Sequence, residues 1–235
     1  MPSLGWLRIR SCSLIGAMEL LDIHTHRLYN NPHEAILNCM PWDLSPHFKG
    51  YCSVGFHPWY LSGDKSKNWE EFKKLVSQPQ VLAIGESGLD KLTTADWKLQ
   101  EEAFLKQAEI ASQLNKPLII HCVKSFNEII RYKKELNPVV AWVIHGFRGK
   151  KELAKQLLDH GFYLSFGEKY QEESLKGTPL DRLFIETDES EVDIHVLYQR
   201  AAICLRMDVE DLIKKVQSNI RNILSYRDNG FVLPG

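Results

Sequence analysis

The stretch Leu20-Leu21-Asp22-Ile23-His24-Thr25-His26 decides how the rest of the chain is read. An apolar lead-in runs into two histidines one residue apart. In an extended strand, residues i and i+2 point to the same face, so His24 and His26 can present both imidazoles to one point in space. That arrangement makes half of a metal site, although a hydrophobic strand can also carry incidental histidines. The remainder of the chain separates the two possibilities.

Outward from this stretch, short apolar or β-branched runs alternate with longer amphipathic ones. Strands are predicted over Leu20–His24, Ala35–Leu37, Tyr51–Phe56, Val81–Ile84, Pro117–His121, Val139–His145, Phe162–Phe166 and Leu183–Asp188. The fourth is expected to break at Gly85-Glu86-Ser87-Gly88-Leu89-Asp90. Helices are predicted over Trp69–Val76, Ala95–Leu114, Ser125–Glu135, Lys150–His160, Asp193–Leu205 and Val209–Ser225. The helix at 95–114 has a stripe of Leu99, Ala103, Phe104, Ala108, Ala111 and Leu114. Between the second and third strands, Pro41 and Pro46 mark a polar loop in place of a helix. This order predicts an α/β fold, a distorted TIM-type (β/α)8 barrel, with an open doubly wound sheet as the alternative.

In such a barrel the C-terminal strand ends converge. Here those ends carry His24, His26, His57, Glu86, His121, His145 and Asp188. Buried histidines and carboxylates are costly unless paired or coordinated, so their gathering at one rim points to a metal centre at the C-terminal ends of the strands. His33, His47, His160 and His195 fall in loops and helices and are expected to be solvated.

Composition bounds the partners. The 235 residues carry 44% apolar and 25% charged residues with a formal charge of −1, which suits a globular domain and gives no global attraction for a polyanion. No apolar run is long enough to span a bilayer, so no membrane partner is expected. The five scattered cysteines suit a reducing cytoplasm rather than a disulfide framework. Residues 1–17 read as an N-terminal extension with Met18 as an alternative start, and 18–235 as one barrel domain. The Leu14–Ala17 apolar run is short and the first core strand follows within a few residues of Met18, so no cleavable signal is expected.

Taken together, Asp22-Ile23-His24-Thr25-His26, Gly55-Phe56-His57-Pro58, Gly85-Glu86-Ser87-Gly88-Leu89-Asp90, Ile120-His121, Ile144-His145-Gly146-Phe147, Glu186-Thr187-Asp188 and Asn219-Ile220-Arg221-Asn222-Ile223-Leu224 resemble the TatD family of metal-dependent hydrolases, among the amidohydrolase-like barrels. The resemblance runs from Asp22 to about Leu224. It implies that His24, His26 and Asp188 hold one divalent ion and that Glu86 bridges to a second held by His121 and His145, with Asp22 behind them. The metal could be zinc, manganese, magnesium, cobalt or iron.

The same resemblance implies hydrolysis of phosphodiesters in DNA, single-stranded or with an accessible end, by an exonuclease-type reaction. Asp188 and Glu86 would be the catalytic carboxylates, and His57, Lys124 and Arg148 would meet substrate. Lys91, Lys124, Arg148, Lys150, Lys151 and Lys169 come just after strand ends and could rim the mouth or be ordinary surface cations. Trp59 and Tyr60 could stack on bases or anchor a loop. Two departures bear on substrate. Val123, followed by Lys124, stands where the family commonly has an arginine, and Glu189-Ser190-Glu191 replaces a proline-containing loop. An amidohydrolase acting on an amide, ester or lactone, and a non-catalytic metal- or nucleic-acid-binding barrel, are the alternatives. Oligomeric state is open, a monomer being compatible.

Overall fold

The run that leads into the paired histidines forms strand β1 (Asp22–Thr25), every residue of which is buried. The computed structural model describes residues 20–61 and 69–225. The extension expected over 1–17 and the start at Met18 lie outside the described residues. Strands β2 (Ala35–Cys39), β3 (Tyr51–Val54), β4 (Val81–Asp90), β5 (Leu118–Val123), β6 (Trp142–Ile144), β7 (Tyr163–Phe166) and β8 (Leu183–Ile185) succeed it in order. All pair in parallel with their sequence neighbours. This is the distorted TIM-type barrel that the alternation predicts.

Closure occurs beyond the regular strands. Asp188 donates its N–H to the His24 carbonyl and accepts the His26 N–H on its own carbonyl, each at 3.0 Å. Asp22 braces this seam from within. Its carboxylate accepts the Thr187 hydroxyl at 2.6 Å, the Tyr29 hydroxyl at 2.8 Å and the His24 and Thr187 backbone N–H groups at 3.2 Å.

Helices α1 (Trp69–Val76), α2 (Trp97–Gln113), α3 (Phe126–Leu136), α4 (Lys151–Asp159) and α5 (Glu172–Lys176) each connect consecutive strands from β3 onward, and α6 (Ile194–Leu205) and α7 (Val209–Ser225) come after β8. The β1–β2 and β2–β3 connections carry no helix, as Pro41 and Pro46 suggest for the second of them. α2 starts at an Asp96 cap whose side chain accepts the Leu99 N–H, and α6 at an Asp193 cap that accepts the His195 N–H. Asn219 ties α7 to the start of β8 by donating to the Leu180 and Leu183 carbonyls.

Three expectations are corrected. The segment 85–90 is not a break but the second half of β4, because the register shifts between the Ile84–Leu118 and Ser87–Ile120 pairs and pairing then resumes to Asp90. That bulge admits the glycine-rich sequence without ending the strand. Leu99 is exposed on α2, and Gln100 and Gln107 take buried places instead. β6 begins at Trp142, since Asn137 ends α3 in the left-handed conformation and Val139 is exposed. The short α5 escaped the periodicity reading because five residues give barely one turn.

Replacing Asp22 by Ala should strand the Thr187 and Tyr29 donors inside the seam and lower stability by on the order of 3 kcal/mol. Urea unfolding checks this, with the midpoint falling while the slope is kept.

Candidate metal centre

The bulge in β4 turns Glu86 into the barrel mouth, and glycine is required on either side of it. Gly85 has φ +142°, and a Cβ there would lie 2.6 Å from the Ile119 carbonyl oxygen; at Gly88 it would lie 1.8 Å from that of His121. On the other flank, Asn38 of β2 accepts the Glu86 N–H at 2.9 Å and donates to Oε2 at 3.3 Å. Glu86 is thereby fixed at both ends.

Its two oxygens face different groups. Oε1 lies 2.7 Å from His145 Nε2, 2.8 Å from His121 Nδ1 and 3.1 Å from His57 Nε2. Oε2 lies 3.5 Å from the Nε2 atoms of His24 and His26, which in turn stand 3.7 and 3.6 Å from Asp188 Oδ1. The structure therefore brings together His24, His26, Glu86, His121, His145 and Asp188. Among the described residues, three trios have donor atoms within 4.8 Å of one another: His24, His26 and Glu86; His57, Glu86 and His121; and His24, His145 and Asp188. His57, read among the strand-end residues but given by the resemblance only a substrate contact, is thus as near Glu86 as the expected donors.

Asp22 touches none of these rings, and its effect on His24 runs through the backbone N–H. Burial pushes its carboxyl up to about 7, against the hydrogen bonds from Thr187 and Tyr29.

Elsewhere in the cluster, burial drives His24 well below the usual imidazole range and lowers His57 as well. Burial opposes ionisation of Glu86 too, but His145, His121 and His26 outweigh it and hold the carboxyl well below its usual range. For His145, burial is outweighed by Glu86 and Glu186, which hold the ring well above the usual value. Against burial, Glu86 and Asp188 raise His26.

The donor set fits a divalent cation. It is made of imidazole and carboxylate alone, which suits zinc, manganese, cobalt or iron. Nε2 of buried His24, which faces Glu86 and Asp188, lacks a hydrogen-bond partner, a costly condition that a coordinated cation relieves.

Residues not singled out from the sequence hold this cluster in place. Asp90 Oδ2 faces His121 Nε2 at 3.1 Å, the carboxylate–imidazole pairing that orients a ligand ring. Gln100 accepts the Asp90 N–H at 2.8 Å, and Gln107 accepts the Phe56 N–H at 2.7 Å, so α2 grips the ends of β4 and β3. Glu186 Oε1 accepts the Gly146 N–H at 2.5 Å and lies 3.5 Å from His145 Nδ1. A polar residue flanked by apolar ones in a strand, such as Asn38, is the one signal that could have found part of this shell.

Above the cluster opens a cavity of about 1200 Å³ whose wall includes His57, Lys124, Arg148, Glu189, Trp42 and Trp59. Of the basic residues expected at the rim, Lys124 and Arg148 reach that wall, and Arg148 Nη2 stands 3.9 Å from Asp188 Oδ2. Lys91 is paired with Glu128 at 2.5 Å instead, Lys150 precedes the first turn of α4, and Lys151 lies beside Gly177. His33, His47 and His195 are exposed and His160 is half-buried.

Residues 42–225 match the family described as TatD related DNase, most of the described barrel. The chain belongs to the TatD family. A metal-dependent hydrolase of Buchnera aphidicola is 37% identical over 145 residues, 58% of this chain and 54% of that protein. The 3'-5' ssDNA/RNA exonuclease TatD of Escherichia coli K12 is 32% identical over 148 residues, 59% of this chain and 57% of that one. The chain thus spans little more than half the length of these relatives. Among solved structures, the TatD homologue YJJV of Escherichia coli K12 superposes with a TM-score of 0.76 at 16% identity, covering 88% of this chain and 98% of that one. That likeness carries the barrel. No helix among the described residues is long and apolar enough to cross a membrane.

Because His145 and His26 are held protonated above the usual imidazole value, a cation must displace their protons. Affinity of this TatD-family chain for Mn²⁺ or Zn²⁺ should therefore fall as pH drops, beginning above pH ~6.5. Competition against a fluorescent chelator across pH measures it. Replacing Asp90 by Ala should weaken binding about 10- to 100-fold in the same assay.

Proposed function

We propose that the chain is a divalent-metal-dependent hydrolase acting on phosphodiester bonds of DNA, at an accessible or single-stranded end. The observation that carries this reading is the division of Glu86, with Oε1 facing His121, His145 and His57 within 3.1 Å and Oε2 facing His24 and His26 at 3.5 Å. One carboxylate so divided would serve two divalent cations, one through each oxygen. In this reading His24, His26 and Asp188 hold the first and His121 and His145 the second, with His57 close enough to complete a shell or meet substrate. Bound divalent ions supply Lewis acidity that makes water nucleophilic near neutral pH and neutralise charge at the phosphoryl group.

The chain's own residues supply the rest. Asp188 is partly open to the cavity, and burial raises its carboxyl above the usual range, with Glu186 and Glu86 adding to the effect and His145 opposing it. Its place on the cavity wall beside His24 and His26 suits Asp188 to take the proton of the attacking water. Lys124 and Arg148 on the cavity wall are suited to hold phosphate oxygens. Lys124 offers a compact charge one residue beyond the place where the family commonly has an arginine, and Arg148 a fork. The name of the Escherichia coli relative, an exonuclease on single-stranded DNA and RNA, agrees with this substrate class.

A second reading keeps the metals and changes the bond. Glu189 lines the same cavity and adds negative charge where a polyanion would approach, which favours an uncharged amide, ester or lactone.

Nucleotide release from single-stranded DNA, compared with turnover of acyl substrates by the same Mn²⁺-loaded protein, separates the readings. Nucleotides and no acyl turnover are expected. Asp188→Asn should lower kcat on DNA by about 10²–10⁴-fold with little change in KM, and Glu86→Ala should abolish both activity and at least one bound ion. Full activity in Asp188→Asn rejects its role as base.

A further inference from the structure

Trp59 belongs to a single 3-10 turn, Pro58–Tyr60, placed directly after His57, whose Nδ1 accepts the Trp59 backbone N–H at 3.1 Å. Its indole N–H donates to Asp90 Oδ2 at 2.7 Å, and the same oxygen faces His121 Nε2 at 3.1 Å. Asp90 is itself held, since it is buried and its Oδ1 accepts the Leu92 N–H at 2.7 Å. The ring contacts with His57 and His121 are near perpendicular, at centroid distances of 5.0 and 6.0 Å. Yet 51% of Trp59 stays exposed, on a cavity wall shared with half-exposed Trp42 and Tyr60.

A large aromatic side chain pinned through its one polar atom and braced edge-on by His57 and His121 keeps half of its surface open toward the cavity, a rigid apolar face beside the cluster. Such a ring loses little freedom when a flat partner lies on it. Lys124 and Arg148 on the same cavity wall supply positive charge for the group attached to that partner.

We infer that Trp59 is the platform on which one nucleobase next to the scissile phosphate stacks, the contact through which the unpaired end of the reading above would be held. This rests on the phosphodiesterase reading. In a duplex both faces of an internal base are covered by neighbours, whereas an unpaired or terminal base has a face to offer. Asp90 anchors the platform and touches no substrate.

The test uses a short single-stranded oligodeoxynucleotide with a hydrolysis-resistant phosphorothioate linkage, and a second one lacking the bases that flank that linkage. Binding to the full-length, Mn²⁺-loaded protein is measured by fluorescence anisotropy. For the wild type, base removal should weaken binding on the order of 10-fold. Trp59→Ala should weaken binding of the intact oligonucleotide by a similar factor and show no further loss when the bases are absent. Trp59→Phe, which keeps a ring and loses the bond to Asp90, should stay within about 3-fold of wild type. If Phe binds as poorly as Ala, or if the base-removal penalty persists in Trp59→Ala, the stacking role is overturned while the phosphodiesterase reading stands. If the wild type binds neither oligonucleotide, that reading fails and the platform fails with it.

Discussion

A single buried carboxylate set among five imidazoles is the constraint around which the barrel mouth is built. Glu86 is 3% exposed and its two oxygens are shared between His57, His121 and His145 on one side and His24 and His26 on the other. An isolated carboxylate at that depth would be expensive to ionise. Here the surrounding rings reverse the balance and keep it charged. The local backbone is shaped to the same end: a bulge in β4 to aim the side chain, glycines where β4 approaches β5, and Asn38 to hold it from β2.

The fold and the cluster are closed by the same residues. The seam between β8 and β1 consists of backbone bonds from Asp188 to His24 and from His26 to Asp188, so sealing the barrel sets three candidate ligands side by side. Asp22, Thr187, Thr25 and Tyr29 form a polar brace inside that seam rather than an apolar one. On the opposite side of the mouth, α2 uses Gln100 and Gln107 to grip the ends of β4 and β3, which carry Asp90 and lead into His57. Stability at the rim therefore depends on satisfied polar contacts, while the apolar core beneath it supplies the bulk of the burial.

Which side chains gather at the mouth could be read in the primary structure because period-two alternation and strand-end position each act locally. His24 and His26 share a face by spacing alone, and the other strand-terminal histidines and carboxylates follow from the barrel's geometry. What could not be read depends on partners distant in the chain. The continuation of β4 through Gly85–Asp90 is decided by its pairing with β5, and the burial of Gln100 and Gln107 by the carbonyls and N–H groups they meet. Asp90 stands at the end of the glycine-rich Gly85–Asp90 motif, but its grip on His121 and Trp59 appears only in three dimensions.

In the proposed centre Glu86 stands between two cation positions, one bounded by His24, His26 and Asp188 and the other by His121 and His145. Anomalous diffraction from crystals soaked in Mn²⁺ tests this most directly. Two peaks on either side of the Glu86 carboxylate, roughly 3.5–4 Å apart, are the expected result. A map with no peak within coordination distance of Glu86, or with manganese bound only elsewhere on the protein, would contradict it.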